Sequence, residues 1–223
     1  MKKMIFIEDH VVPQLFTSAL EAYDFEHKSS EDGEAFKNLE TFGLLWGYSL
    51  PAKGETPAKI IATMCTVETS ATRDKEWVAP NFESLMAKKD FIHRYWPNME
   101  LVGTFHSHPY DDLTEVKDIK GWRASEEDEA FFPYFHQEIA PDQDSLAHII
   151  VTVTGLEKRG WAYPDRLSGS EFDKGYVLSA GRHKIWMRGY STDSLVNEEG
   201  EVEGFVFSDD NMLEIPALQN RFK

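Results

Sequence analysis

Two hydrophobic periods alternate along this chain. Met4 to Ile7 is a short apolar run that predicts a strand. Val11 to Phe25 then places Leu15, Phe16, Leu20 and Tyr23 three to four positions apart, the spacing of an amphipathic helix. The polar tract His27 to Glu34 predicts a loop. An apolar strand follows Glu40, and Lys59 to Val67 predicts the next, reached through turn signals between Pro51 and Pro57. After a connection over Trp77 to Asn81, Asn81 is placed to cap a helix from Phe82 to Tyr95. Its Phe82, Leu85, Met86, Phe91 and Ile92 form one apolar side, and Trp96-Pro97 ends it.

The second half continues in the same manner. Leu101 to Phe105 predicts a strand running into His106-Ser107-His108-Pro109, and Ser125 to Phe132 a short helix that Pro133 bends or restarts before Glu138. Leu146 to Thr154, Tyr176 to Ser179, Lys184 to Tyr190 and Val202 to Ser208 read as further strands, with a turn over Asn197 to Gly200. This order of elements predicts an α/β domain, a central mixed sheet with helices on its faces.

Composition narrows the class. A length of 223 residues supports one sizeable core, and 41% hydrophobic residues fit a globular chain rather than a disordered one. There is no apolar run of about 18 residues, so no membrane span is expected. The apolar run in MKKMIFIEDH is too short for a secretory signal. A single cysteine, Cys65, rules out an internal disulfide, and a cytoplasmic location is the default expectation. The net charge of −16 argues against a nucleic-acid partner and fits a basic or neutral protein substrate. The patterns H-x-E with P-C-x-x-C and H-E-x-x-H, which mark other zinc chemistries, are missing.

The candidate chemistry lies between Leu101 and Asp128. Residues two apart on a strand share a face, so His106 and His108 can offer two imidazoles to one ion at about 2.0 Å. A helix starting after Ser125 places Asp128 in its first turn, where its carboxylate could complete a His, His, Asp set. Three protein ligands leave zinc a fourth position for water. S-x-x-D ahead of an apolar run is also a helix capping box, and the two roles are compatible. Asp111, Asp112 and Asp118 lie closer to the histidines in sequence and remain alternatives to Asp128.

Upstream, Glu40-Thr41-Phe42-Gly43-Leu44-Leu45-Trp46-Gly47 sets a carboxylate before a strand, with glycines where backbone must approach closely. E-T-x-G-x-L-x-G, H-S-H-P and a later S-x-x-D together resemble the JAMM motif of the JAB/MPN metalloproteases, over roughly Met4 to Gly160. The resemblance implies a JAB/MPN-like (cytidine-deaminase-like) fold, a curved mixed sheet flanked by helices. It implies zinc on His106, His108 and Asp128. It makes Glu40 the group that takes a proton from the attacking water and later gives one to the leaving amine. Ser125 becomes a hydrogen-bond donor to the developing oxyanion. The usual gap between motif proline and serine is longer here, because Tyr110 to Ala124 intervene. This insertion is expected beside the metal, as a flap over the substrate, with Tyr110 and Trp122 either contacting substrate or anchoring the loop.

The resemblance extends the domain reading to a core over 1–160 and C-terminal strands over 161–223 that complete or extend it. Functionally it implies a zinc-dependent isopeptidase or peptidase cutting after the C-terminal tail of a ubiquitin-like protein or its conjugate. Such an enzyme resembles stand-alone bacterial members encoded beside ubiquitin-like conjugation systems, some of them antiviral. The alternatives are a non-catalytic interaction module of the same fold and a hydrolase of a small thiocarboxylate or cysteine adduct.

Overall fold

A computed structural model describes residues 2–28 and 35–220. Strand β1 (Lys3–Ile7) leads to helix α1 (Val12–Asp24), which has Pro13 in its first turn and buries Val12, Leu15, Ala19 and Ala22 along one side. The expected loop over 27–34 lies largely outside the described residues; its flanks pair as short strands β2 (His27–Lys28) and β3 (Ala35–Phe36). Strand β4 (Phe42–Leu50) follows Glu40, and β5 (Lys59–Val67) keeps the bounds its pattern predicts. A small hairpin of β6 (Thr72–Arg73) and β7 (Val78–Ala79) precedes helix α2 (Phe82–Tyr95). The Asn81 side chain accepts hydrogen bonds from the N–H groups of Glu83 and Ser84 and so caps α2 as expected.

The histidine strand, β8 (Glu100–Tyr110), runs on through both imidazoles. After it come helix α3 (Leu113–Ile119), capped by Asp112, and helix α4 (Glu126–Ile139). Helix α4 continues through Pro133, so the helix does not restart there, although Pro133 takes one N–H out of the helical ladder. The chain closes with β9 (Ser145–Arg166), β10 (Gly175–Val196), β11 (Val202–Ser208), β12 (Asn211–Glu214) and helix α5 (Pro216–Asn220).

Eight strands form one mixed sheet in the order β11-β10-β9-β8-β4-β5-β1-β12. The β1–β12, β1–β5 and β8–β9 pairs are parallel, and the others are antiparallel. Helices α1 and α5 pack on one face, over Ile5, Leu45, Phe105, Ile149 and Met187. Helices α2 and α4 pack on the other, over Phe42, Leu44, Trp46 and Leu101. The architecture is therefore mixed α/β, a large mixed sheet flanked by helices.

Two expectations change. The strands read separately as Leu146–Thr154, Tyr176–Ser179 and Lys184–Tyr190 belong to one long β9–β10 hairpin. The polar run Leu156–Arg159 is a bulge within it, since Gly155 pairs with His183 and Gly160 with Gly181. The segment 110–124 is not an open loop either. It contains α3, buries Val116, and stacks Trp122 on Trp186 at 5.7 Å between ring centroids. Anchored this way it forms a packed strap beside the site, and Trp122 takes the anchoring role.

The motif glycines have steric reasons. A Cβ on Gly43 would lie 2.5 Å from the Thr66 carbonyl oxygen and 2.2 Å from the Phe105 ring, and one on Gly47 would lie 1.9 Å from the Ile61 oxygen. Only glycine lets β4 approach β5 this closely at those points.

Candidate metal centre

The site forms where β8 emerges between β4 and β9. His106 and His108 alternate with Ser107 along β8, so both imidazoles point toward the α4 face while Ser107 points away. Ser107 joins the glutamate segment to this strand end: its N–H donates to the Thr41 carbonyl and its hydroxyl accepts from the Thr41 N–H, each at 3.0 Å. The Glu40 N–H donates to the Asp74 carbonyl at 2.8 Å, which ties the same segment to the β6–β7 hairpin. Glu40, His106, His108, Ser125 and Asp128 accordingly line one cleft of about 410 Å³, with Phe42, Val78 and Phe131 among its apolar walls.

Asp128 arrives from α4 through the cap. Its backbone N–H donates to the Ser125 hydroxyl (3.1 Å) and its Oδ2 accepts from the Ser125 N–H (2.8 Å), the reciprocal pattern of a capping box. The same carboxylate reaches both imidazoles: Oδ1 lies 2.9 Å from His106 Nε2 and Oδ2 lies 3.2 Å from His108 Nε2. The two Nε2 atoms are 3.0 Å apart. Cap and candidate ligand are thus one residue. Among the described residues these three form the group that could hold a metal ion.

The donor set passes the test of fit for zinc. Ligands about 2.0 Å from a tetrahedral ion stand roughly 3.3 Å apart, close to the separations here. His108 Nδ1 lies 3.3 Å from the Gly121 carbonyl, which can only accept, so Nδ1 carries a proton and Nε2 is the atom left to bind an ion once the ring is neutral. Thr152 donates its hydroxyl to the same carbonyl at 3.1 Å. Gly121 belongs to the strap, and sequence reasoning missed it because a carbonyl carries no residue-type signal.

The electrostatics are those of coupled charges out of water. Burial pushes the Glu40 carboxyl up to about 7, against the downward pull of the His108 and His106 imidazoles. For His108 burial acts downward, but the hydrogen bond and charge of Asp128, followed by Glu40, outweigh it and raise the imidazole. Burial would raise Asp128 too, yet the two imidazoles hold it well below the usual carboxylate range. A bound dication would take over the role of the imidazolium charge and favour neutral imidazoles beside ionised carboxylates.

The rival aspartates are occupied elsewhere. Asp111 is exposed and pairs with Lys75 and Asn38, Asp112 caps α3, and Asp118 is exposed on that helix. Tyr110 lines the cleft, whereas Trp122 does not. Two of the remaining histidines are buried behind the site as neutral links: His148 bridges the hydroxyls of Thr104 and Thr192, and His136 joins Thr192 to the Gln143 carbonyl. Burial holds both imidazoles below their ordinary value, His136 at about 4. No protein-family model matches the chain, and no curated protein matches it. Among the described residues no helix is long and apolar enough to cross a membrane.

Proposed function

We propose that this protein has a JAB/MPN-like fold and is a zinc-dependent isopeptidase or peptidase that cuts after the C-terminal tail of a ubiquitin-like protein. One observation carries the reaction class: a buried carboxyl, Glu40, 6% exposed, shares a cleft with the His106–His108–Asp128 triangle. Burial makes this carboxylate a stronger base than an exposed one, which favours taking a proton from water and returning it. When bound, zinc would polarise the scissile carbonyl and acidify a water.

The chain's own groups have separate tasks. The Glu40 carboxylate accepts the proton of the attacking water and delivers it to the nitrogen of the departing amine as the C–N bond breaks. The Ser125 hydroxyl accepts from the Asp128 N–H, which leaves its O–H to donate toward the oxyanion of the tetrahedral intermediate. His106, His108 and Asp128 hold the ion, and the Gly121 carbonyl fixes the His108 tautomer.

The substrate class rests on the sequence resemblance, which also supports the placing of zinc. The decisive experiment incubates the protein with ubiquitin-like fusions and conjugates, with and without zinc, beside Glu40→Gln. The expected result is zinc-dependent cleavage after the tail, abolished by Glu40→Gln with zinc binding intact. Equal turnover by the variant would remove Glu40 from the mechanism. Cleavage of short adducts but no folded partner would favour the small-molecule hydrolase, and zinc binding with no turnover the interaction module.

A further inference from the structure

One face of β10 engages the end of the strap residue by residue. Trp186, Arg188 and Tyr190 lie two apart and share a face. The Trp186 indole stacks on Trp122, 14° from parallel. Arg188 Nη1 pairs with Glu171 at 3.1 Å, and Glu171 in turn accepts from Trp122 Nε1 at 2.9 Å and Arg123 Nε at 2.6 Å. The Tyr190 hydroxyl accepts the Ala124 N–H at 2.7 Å. Residues 122, 123 and 124 are each held by this row or by the Glu171 carboxylate attached to it.

These three residues stand between two parts of the metal centre. Gly121, immediately before them, supplies the carbonyl that orients His108, and Ser125, immediately after, caps the helix that presents Asp128. We infer that Trp186, Arg188, Tyr190 and Glu171 are positioning residues of the metal centre, fixing the His108-orienting carbonyl and the Asp128 helix start relative to each other. The inference rests on reading His106, His108 and Asp128 as metal ligands.

Stability alone is a poor reason for this cluster. The Arg188 side chain is 2% exposed, and its Nε is buried without a hydrogen-bond partner. Two charges taken out of water lose about as much solvation as their attraction returns, and apolar residues of similar volume pack there as well or better. A planar guanidinium held by both Glu171 and Asp209 does supply direction, because its forked donors fix the carboxylates in angle as well as distance. That fixes the Glu171 oxygens that Trp122 and Arg123 bind.

The test measures zinc affinity by chelator competition, and the visible absorption of the cobalt(II) form, on the full chain. Variants are Glu171→Gln, Tyr190→Phe and Trp122→Phe, with Glu214→Gln as control. The control breaks the Arg166–Glu214 pair, which joins the end of β9 to β12 and involves no residue of the strap. Glu171→Gln and Tyr190→Phe are expected to weaken zinc about tenfold or more and to change the cobalt spectrum, while the control matches the parent chain. Should Glu171→Gln fail to fold, Trp122→Phe carries the test with the same weakening expected, since it keeps an aromatic ring against Trp186 while removing the pyrrole ring and its N–H to Glu171. Parent-like affinity and spectrum in the folded variants would overturn the inference, as would equal weakening in Glu214→Gln. If the parent chain binds neither zinc nor cobalt, the ligand reading itself has failed, a result distinguishable without any variant.

Discussion

Replacing Glu40 with glutamine should stabilise the metal-free protein in alkaline solution. The Glu40 carboxyl titrates near 4.5 when exposed and at about 7 in the fold, chiefly through burial. The native state therefore keeps its proton to higher pH than the unfolded chain, and between these values stability falls as pH rises. At about 1.4 kcal/mol per pH unit, the contribution present below 4.5 and lost above about 7 comes to about 3 kcal/mol. Glutamine is isosteric with the protonated acid and carries no such penalty. In EDTA, Glu40→Gln should match the parent near pH 5 and exceed it by about 3 kcal/mol at pH 8, or roughly 6–12 °C in Tm for a chain of this size. Denaturant unfolding at both pH values gives the difference directly. Zinc should shrink it, because the ion's charge favours an ionised Glu40. Parallel stability curves for the two proteins from pH 5 to pH 8 would refute the argument, since no buried carboxyl would then be ionising at this position.

Other perturbations follow from the geometry. The chain should bind about one zinc, measured by elemental analysis after gel filtration. His106→Ala, His108→Ala and Asp128→Ala should lose most of it, whereas Asp111→Ala, already paired with Lys75, should bind normally. Gly47→Ala should cost about 3 kcal/mol or more in denaturant unfolding, because the new Cβ meets the β5 backbone rather than a movable side chain. Phe132→Ala should cost about 3–5 kcal/mol by the same measurement, since the buried ring stacks on His148 at 4.1 Å and its loss leaves a cavity behind His106.

Much of the site is visible in the residues themselves, because its signals are local. Alternation along β8 puts both histidines on one face, the S-x-x-D spacing encodes the cap that presents Asp128, and the glycines of β4 mark close backbone approach. Helix α2 and strand β5 keep their predicted bounds because cap, period and terminator agree there. What escaped is non-local. The bulge at Leu156–Arg159 is as polar as a loop, and only its partners across the hairpin show that the strand continues. Helix α3 is short, and its one buried residue, Val116, gives no periodicity to detect. Strand β12 lies at the far end of the chain from β1, and parallel pairing of four residues leaves no mark in either sequence. The Gly121 carbonyl, which orients His108, is backbone.

The three candidate ligands come from a single stretch of chain, His106 to Asp128, while the sheet around them is assembled from both halves of the protein. An ion there would act as a local staple, closing the end of β8, the strap and the first turn of α4 into one ring. Chelation should accordingly be felt first as faster amide exchange in α3 and the start of α4, with the central strands still protected. Loading and unloading of metal would then proceed by loosening one side of the molecule, at a fraction of the free energy of global unfolding.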